Sequence, residues 1–276
     1  MINAGTIKIK DDEFVELKDI IYKNAAIAFA DSKKYLIENR LSKRLQELNF
    51  SSFKDYIYYL KYDPKKREEM EVLLNQVTIN ETYFLRERAQ MDHLIKTVIP
   101  GLIAKGKRSI RIWSAACSSG EEPYSIAMLL NEAGLFDKVN VEILATDINT
   151  EVLSIAQNGV YRTISFRGVP PAIQQKYFTK DGFTFKINPD IMSKIKFFQG
   201  NLLSPMISAK VGRLDAIFCR NVLIYFDIPA KQKVIETFHK SLNTPGALYL
   251  GHSETLNKIS DKFTMENFGG GIIYKK

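Results

Sequence analysis

The sequence predicts an α/β protein, in which a mixed seven-stranded sheet follows an N-terminal all-helical domain and carries a small inserted β subdomain. Three observations predict this class. Residues 11–78 place apolar side chains at helical spacing, with no strand-period segment between them. From Asp92 onward strand and helix patterns alternate, which implies parallel strands joined by right-handed crossovers. Between them, residues 110–125 run from an apolar strand (Ile110, Ile112, Trp113) through small residues into a helix (Tyr124, Ile126, Met128, Leu129, Leu130). Open α/β sheets bind nucleotides at such strand–loop–helix junctions.

Each element has its own signal. Phe14, Val15, Leu17, Ile20 and Ile21 make one helical stripe, and Asp31–Leu48 carries a second helix. A third starts at Ser51 and holds Phe53, Tyr56, Ile57 and Leu60. Asp63-Pro64 reads as an N-cap followed by proline at the first helical position, opening a fourth helix through Met70, Val72, Leu73 and Leu74. We take 1–78 as the helical domain, 79–91 as a linker contributing to the site, and 92–276 as the α/β domain. Strands are expected at Ser109–Ser114, Val141–Thr146, Ile195–Gln199, Ala216–Cys219, Ala247–Gly251, Phe263–Asn267 and Ile272–Lys275, with helices at 121–133, 150–157 and 229–242. Glycines 269–271 suggest a terminal hairpin and hence an antiparallel edge. Residues 160–194 break the alternation. Val169-Pro170-Pro171, a short helix near Ile173–Tyr177, then Phe183, Phe185 and Ile187 suggest an inserted subdomain with a hairpin.

The chain has 276 residues, 45% hydrophobic and 25% charged, as for an ordinary globular protein. No apolar run approaches membrane-spanning length, and Met1–Lys10 lacks a signal-peptide core. The two cysteines, Cys117 and Cys219, lie far apart without metal-ligand spacing and read as reduced thiols. A cytoplasmic protein without a metal is expected, and nothing demands more than a monomer. The net charge of +8 implies an acidic partner. Nucleic acid is the rival and not the expected partner, because no aromatic-interleaved basic strand or zinc module supports it.

The 114–122 loop has one glycine, Gly120, followed by Glu121 and Glu122. A dinucleotide fold needs several glycines there for the backbone to approach a pyrophosphate, and two acids would repel one. The ligand is therefore nucleoside-like and phosphate-free, which points to S-adenosylmethionine. The strand Val141–Asp147 ends in an acid that can accept ribose hydroxyls, or else cap the helix that follows. Asn201, after another strand, offers both donor and acceptor to an adenine edge, or else makes a turn. Leu214–Asp227 buries Arg220, Asn221 and Tyr225 in an apolar context, a cost that a functional pocket explains.

Five segments together resemble a known family: Asn80-Glu-Thr-Tyr-Phe-Leu-Arg86, Ser114–Ser125, Ala145-Thr-Asp147, Phe218–Asp227 and Gly251-His-Ser-Glu254. They are similar to the motif set of the CheR family, S-adenosylmethionine-dependent methyltransferases of chemotaxis receptors. The likeness spans nearly the whole chain. It implies a Rossmann-like methyltransferase domain that esterifies receptor glutamates. It implies that Asn80, Thr82 and Arg86 lie near the methionine end of the cofactor and that Glu121 lines it. By the same resemblance Asp147 holds the ribose, Asn201 and Leu202 the adenine, and Asn221 and Val222 the region near the sulfonium. Arg86 and Tyr225 match the family's active-site residues, whereas Glu122 and His252 read as structural. The basic residues Lys33, Lys34, Arg40, Lys43 and Arg44 on one predicted helix become candidates for docking the acidic methylation helices of chemoreceptors, with recruitment to membrane-bound receptor arrays. Some members also tether to a receptor's C-terminal pentapeptide through a glycine-rich loop of the inserted subdomain. Tyr177–Ile187 has one glycine in the matching place, so no tether is expected.

Overall fold

The computed structural model describes residues 7–276. They divide into two compact units, one of residues up to Ile79 together with Tyr225–Asp227, the other of the remaining residues from Asn80.

The first unit contains α1 (Asp11–Ala25), α2 (Lys34–Glu47), α3 (Phe53–Tyr62) and α4 (Lys66–Val77). Its core is the set of stripes the spacing predicts: Phe14, Leu17 and Ile21 from α1, Ile37 and Leu41 from α2, and Phe53, Tyr56 and Leu60 from α3. Two starts differ from expectation. Residues Asp31–Lys33 form a separate 3-10 turn before α2. The helix expected at Asp63-Pro64 begins only at Lys66, because the Asp63 carboxylate accepts a bond from the Lys65 amide (2.8 Å) and closes a turn that holds Pro64 outside the helix. Tyr225–Asp227 joins this unit through an antiparallel bridge between Ile27 and Phe226, and the Tyr22 hydroxyl donates to Asp227 (2.7 Å).

The second unit opens with α5 (Arg88–His93), a π-type turn at Leu94–Val98 and α6 (Ile99–Ala104). This helix is absent from the sequence reading, since Pro100 and Gly101 look like breakers. The Ile99 amide bonds the carbonyl of Leu94, and the widened turn carries the chain past Pro100, which has no N–H to place. The strands that follow are β1 (Ser109–Ala115), β2 (Asn140–Asp147), β3 (Val160–Arg162), β4 (Phe178–Asp181), β5 (Thr184–Ile187), β6 (Ile195–Gln199), β7 (Leu214–Cys219), β8 (Leu242–Leu250), β9 (Thr264–Asn267) and β10 (Ile272–Lys275). Helices α7 (Glu121–Glu132), α8 (Thr150–Asn158), α9 (Pro171–Tyr177), α10 (Pro189–Met192), α11 (Ile207–Val211) and α12 (Ile228–Ser241) connect them.

Seven strands form one sheet in the order β6-β2-β1-β7-β8-β10-β9. The pairs β6–β2, β2–β1, β1–β7 and β7–β8 are parallel, and β10 pairs antiparallel with both β8 and β9. The terminal hairpin is thus turned inward, with β10 rather than β9 beside the parallel strands. β8 starts earlier than its alternation suggests, at Leu242, which pairs with Leu214 across an irregularity, and it ends before Gly251. The inserted segment is a three-stranded antiparallel sheet, β3-β5-β4, with one strand more than the expected hairpin.

The core lies on both faces of the central strands. Trp113 is fully buried and donates its indole N–H to the Thr146 hydroxyl (3.0 Å). Phe218 and Tyr249 stack on neighbouring strands at 4.3 Å. Phe84 packs with Tyr161, Phe166 and Phe178, which anchors residues 80–87 to the inserted sheet.

Candidate active site

The carboxyl ends of β1 and β2 lie side by side, Ala115 opposite Thr146. The loop after β1 turns tightly, with Ala116, Ser118 and Gly120 all at positive φ (62°, 50° and 91°). Three of its amides are spent inside the fold. Cys117 donates to the Thr146 carbonyl (2.9 Å), Gly120 to the Cys117 carbonyl (3.0 Å), and Ser118 to the Asp147 carboxylate (2.8 Å). A phosphate cradle needs such amides turned outward, and these three are not.

Asp147 is 5% exposed, and its second oxygen accepts from the Asn149 amide (2.9 Å). Burial pushes its carboxyl above the ordinary range, against the pull of the amides of Asn149, Ser118 and Ile148. The alternative of a helix cap is not realised there. Asn149 caps α8 instead, its side chain accepting from the amides of Glu151 and Val152. A carboxylate has about four lone-pair sites, which three backbone donors do not exhaust. A buried acceptor beside a loop with no phosphate cradle fits the ribose of S-adenosylmethionine, so the residues present suit that cofactor.

The two acids after Gly120 lie in different surroundings. Glu121, the cofactor-lining candidate, is 2% exposed, and its carboxylate accepts from the hydroxyls of Ser119 (2.7 Å) and Ser165 (3.0 Å). Burial raises its carboxyl as well. The side chain is enclosed and ties the loop to the segment after β3. Glu122 accepts from the Ser114 hydroxyl (2.6 Å) and pairs with the Arg220 guanidinium (2.6 Å), a structural role as the sequence suggests.

Arg220 is buried and also donates to the Arg86 carbonyl (2.8 Å). It holds the segment Arg86–Gln90 against the ends of α7 and β7. The chain at its start is strained, with Leu85 and Glu87 at positive φ (59° and 50°). The Arg86 side chain is half-buried and donates to the Glu81 carbonyl (3.1 Å). Asn80 accepts at its carbonyl from the Ser118 hydroxyl (2.9 Å), which brings it to the loop after β1. Thr82 lies between them and is half-buried.

Asn201 and Leu202 follow β6. The Asn201 side-chain oxygen accepts from the Leu203 amide (2.9 Å), so it makes a turn, while Leu202 is buried. Asn221 and Val222 follow β7, Asn221 with φ of 61°. Their amides donate to Glu254 (2.8 and 2.9 Å), a residue of the Gly251–Glu254 motif whose role sequence reasoning missed. Ser118 was missed as well. Its neighbours gave no warning, because only the folded loop sets its amide against Asp147. His252 is exposed, with its ring 3.9 Å from Glu87. Tyr225 belongs to the helical unit, where its carbonyl accepts from the Ala28 amide (3.1 Å).

The five basic docking candidates do not share one fate. Arg44 makes a two-bond pair with buried Glu69, which also accepts from Tyr56, and this holds the guanidinium far up in its charged form. Arg40 donates to the Val77 carbonyl (2.6 Å), and Lys34 pairs with Asp11 (2.7 Å). Only Lys33 and Lys43 stand exposed, Lys43 with Glu47 at 3.8 Å. Among the described residues no cluster of metal-ligating side chains occurs, and no helix is long and apolar enough to cross a membrane.

Comparison with known proteins agrees with this geometry. Residues 12–78 match the CheR methyltransferase all-alpha domain, and residues 80–270 match the CheR methyltransferase SAM binding domain. The chain is 38% identical over 274 residues to chemotaxis protein methyltransferase 2 of Vibrio cholerae, covering 98% of this chain and 94% of the relative. It is 36% identical over 273 residues to chemotaxis protein methyltransferase 1 of Pseudomonas aeruginosa (95% and 97% covered). It is 38% identical over 260 residues to the chemotaxis protein methyltransferase of Borreliella burgdorferi (91% and 90% covered). With its two domains matched in order and its cofactor edge built without a phosphate cradle, the chain belongs to the CheR family of S-adenosylmethionine-dependent chemotaxis methyltransferases.

Proposed function

We propose that this enzyme methylates glutamate side chains of chemoreceptors, forming methyl esters in chemotaxis adaptation. The observation that carries the reading is the absence of a buried imidazole base among the residues at the carboxyl ends of β1, β2, β7 and β8. His93 stacks on Phe268 (4.4 Å) and bonds the Tyr249 hydroxyl (3.1 Å), and His239 packs edge-on against Phe263. Burial lowers the pKa of both rings. A glutamate nucleophile needs no base, since its pKa of about 4.3 leaves it ionised at neutral pH. What it needs is alignment and loss of water.

When bound, S-adenosylmethionine supplies a methyl group activated by its sulfonium. The chain's part is to hold both reactants in line. Asp147 accepts from the ribose, Asn201 and Leu202 contact the adenine, and Asn80 and Thr82 border the methionine end. Arg86 orients the attacking carboxylate, and Tyr225 positions it by its hydroxyl. Tyr225→Phe lowers turnover with cofactor affinity unchanged; full turnover in that variant removes the hydroxyl from the mechanism.

Receptor docking rests on the exposed pair, Lys33 in the turn before α2 and Lys43 on α2. The hairpin β4–β5 turns through Gly182 and Phe183 only, which supports an enzyme without a pentapeptide tether. Methyl transfer is to be measured from labelled cofactor to receptor cytoplasmic fragments and to RNA in parallel. Label on the receptor alone is expected, and label on RNA overturns the reading.

A further inference from the structure

The strands β7 and β8 end together, Cys219 opposite Leu250, and the chain turns away after each. Glu254 joins the two turns. One carboxylate oxygen accepts from the amides of Gly251 (2.7 Å) and Asn221 (2.8 Å), and the other from the amide of Val222 (2.9 Å). The residue is 9% exposed, and among the described residues it has no ion-pair partner. Burying an unpaired carboxylate is costly unless hydrogen bonds compensate. Three converging N–H donors require an acceptor-only group, and glutamine would turn an NH2 against one of them.

The fit around this carboxylate is close. A Cβ on Gly251 would come within 2.7–2.9 Å of the Asn221 amide groups and of the Glu254 oxygen. Asn221 meanwhile holds a left-handed conformation, which single residues adopt at a cost. The two turns therefore fix one another, and Glu254 is the group they share. None of these contacts stabilises a helix or extends the sheet.

We propose that Glu254 is a positioning residue for the cofactor, presetting the Asn221–Val222 turn in the shape that receives it. This rests on the reading that Asn221 and Val222 border the sulfonium end. A preset turn spends its ordering entropy during folding rather than on binding, so its loss appears in cofactor affinity.

The test uses Glu254→Gln in the full chain, with hydrogen exchange at the amides of Gly251, Asn221 and Val222, the Kd for S-adenosylhomocysteine, and KM for a receptor fragment. Faster exchange at those three amides is expected, with Kd weakened at least about tenfold and receptor KM within about twofold. Glu254→Asp, which keeps an acceptor-only carboxylate, should recover part of the affinity. A merely structural residue would lower the folded fraction and leave the Kd of what remains unchanged. That result overturns the proposal, as does failure of both variants to fold. If the amides are freed and Kd is unchanged, the positioning role is wrong, and Asn221→Ala then shows whether the placement of the turn in the site fails too.

Discussion

Arg44 and Lys43 are neighbours on α2 with opposite roles. Arg44 neutralises Glu69, which is 2% exposed on its side chain and also bonded to Tyr56. Arg44→Ala leaves that carboxylate buried and unpaired, so equilibrium unfolding should show a loss of about 3 kcal/mol. Lys43→Ala should stay within about 0.5 kcal/mol of the parent. Equal effects would mean that the pair with Glu69 contributes nothing. Asp147 gives a second test at this scale. Its folded pKa is raised by burial, so between its unfolded and folded values the folded chain binds more protons than the unfolded one. Stability from this group is therefore lost as pH rises through that window, whereas cofactor binding, by the proposed role of the carboxylate in holding the ribose, is gained. Titration of S-adenosylhomocysteine should show affinity rising with pH through that window above the ordinary carboxylate value, and flat and weak binding for Asp147→Asn. A sloping profile in that variant would place the titration elsewhere. The sequence revealed Asp147 because a strand ending in an acid is a local pattern. It could not reveal that Ser118 and Asn149 would take up its oxygens, since those bonds exist only once the loop is folded. The pairing of Arg44 was hidden for the same reason: its partner Glu69 lies on another helix, and charge runs carry no record of distant partners.

The loop from β1 to α7 depends on one glycine. Gly120 sits at φ of 91°, and a Cβ there would meet the Ala156 Cβ at 2.8 Å. Gly134, at φ of 60°, has open space around it. Gly134→Ala should cost about 1 kcal/mol, the conformational penalty alone. Gly120→Ala should cost clearly more, about 3 kcal/mol, because α8 must shift as well. Chemical denaturation of the two variants separates these contributions, and matching losses would show that α8 yields freely. Element by element, strands β6 and β10 follow from alternation and α7 from its apolar run. The helix Arg88–Ala104 was hidden by Pro100, and the start of β8 by Thr244-Pro245-Gly246, which lie in the irregularity between the Leu214–Leu242 and Ala216–Ala247 pairs. Local propensity failed where a π-turn or an irregular ladder absorbed a breaker.

At the scale of the whole molecule, the positive charge is not where the basic helix suggested. Residues 1–79 hold 14 Lys and Arg against 13 Asp and Glu, whereas residues 80–276 hold 25 against 18. The helical unit is nearly neutral, so attraction of an acidic receptor through α2 is a matter of local exposed lysines rather than of overall field. The family and cofactor were legible from five motifs in order, while the pairing of Arg220 with Glu122 and of Glu254 with the Asn221–Val222 turn was not. The central claim, that the product is a glutamate ester, is tested most directly by incubating the enzyme with labelled cofactor and receptor fragments and then raising the pH. The account predicts label on glutamate side chains of the receptor, released as methanol by mild base. Label that resists base, as on a nitrogen atom, would contradict it.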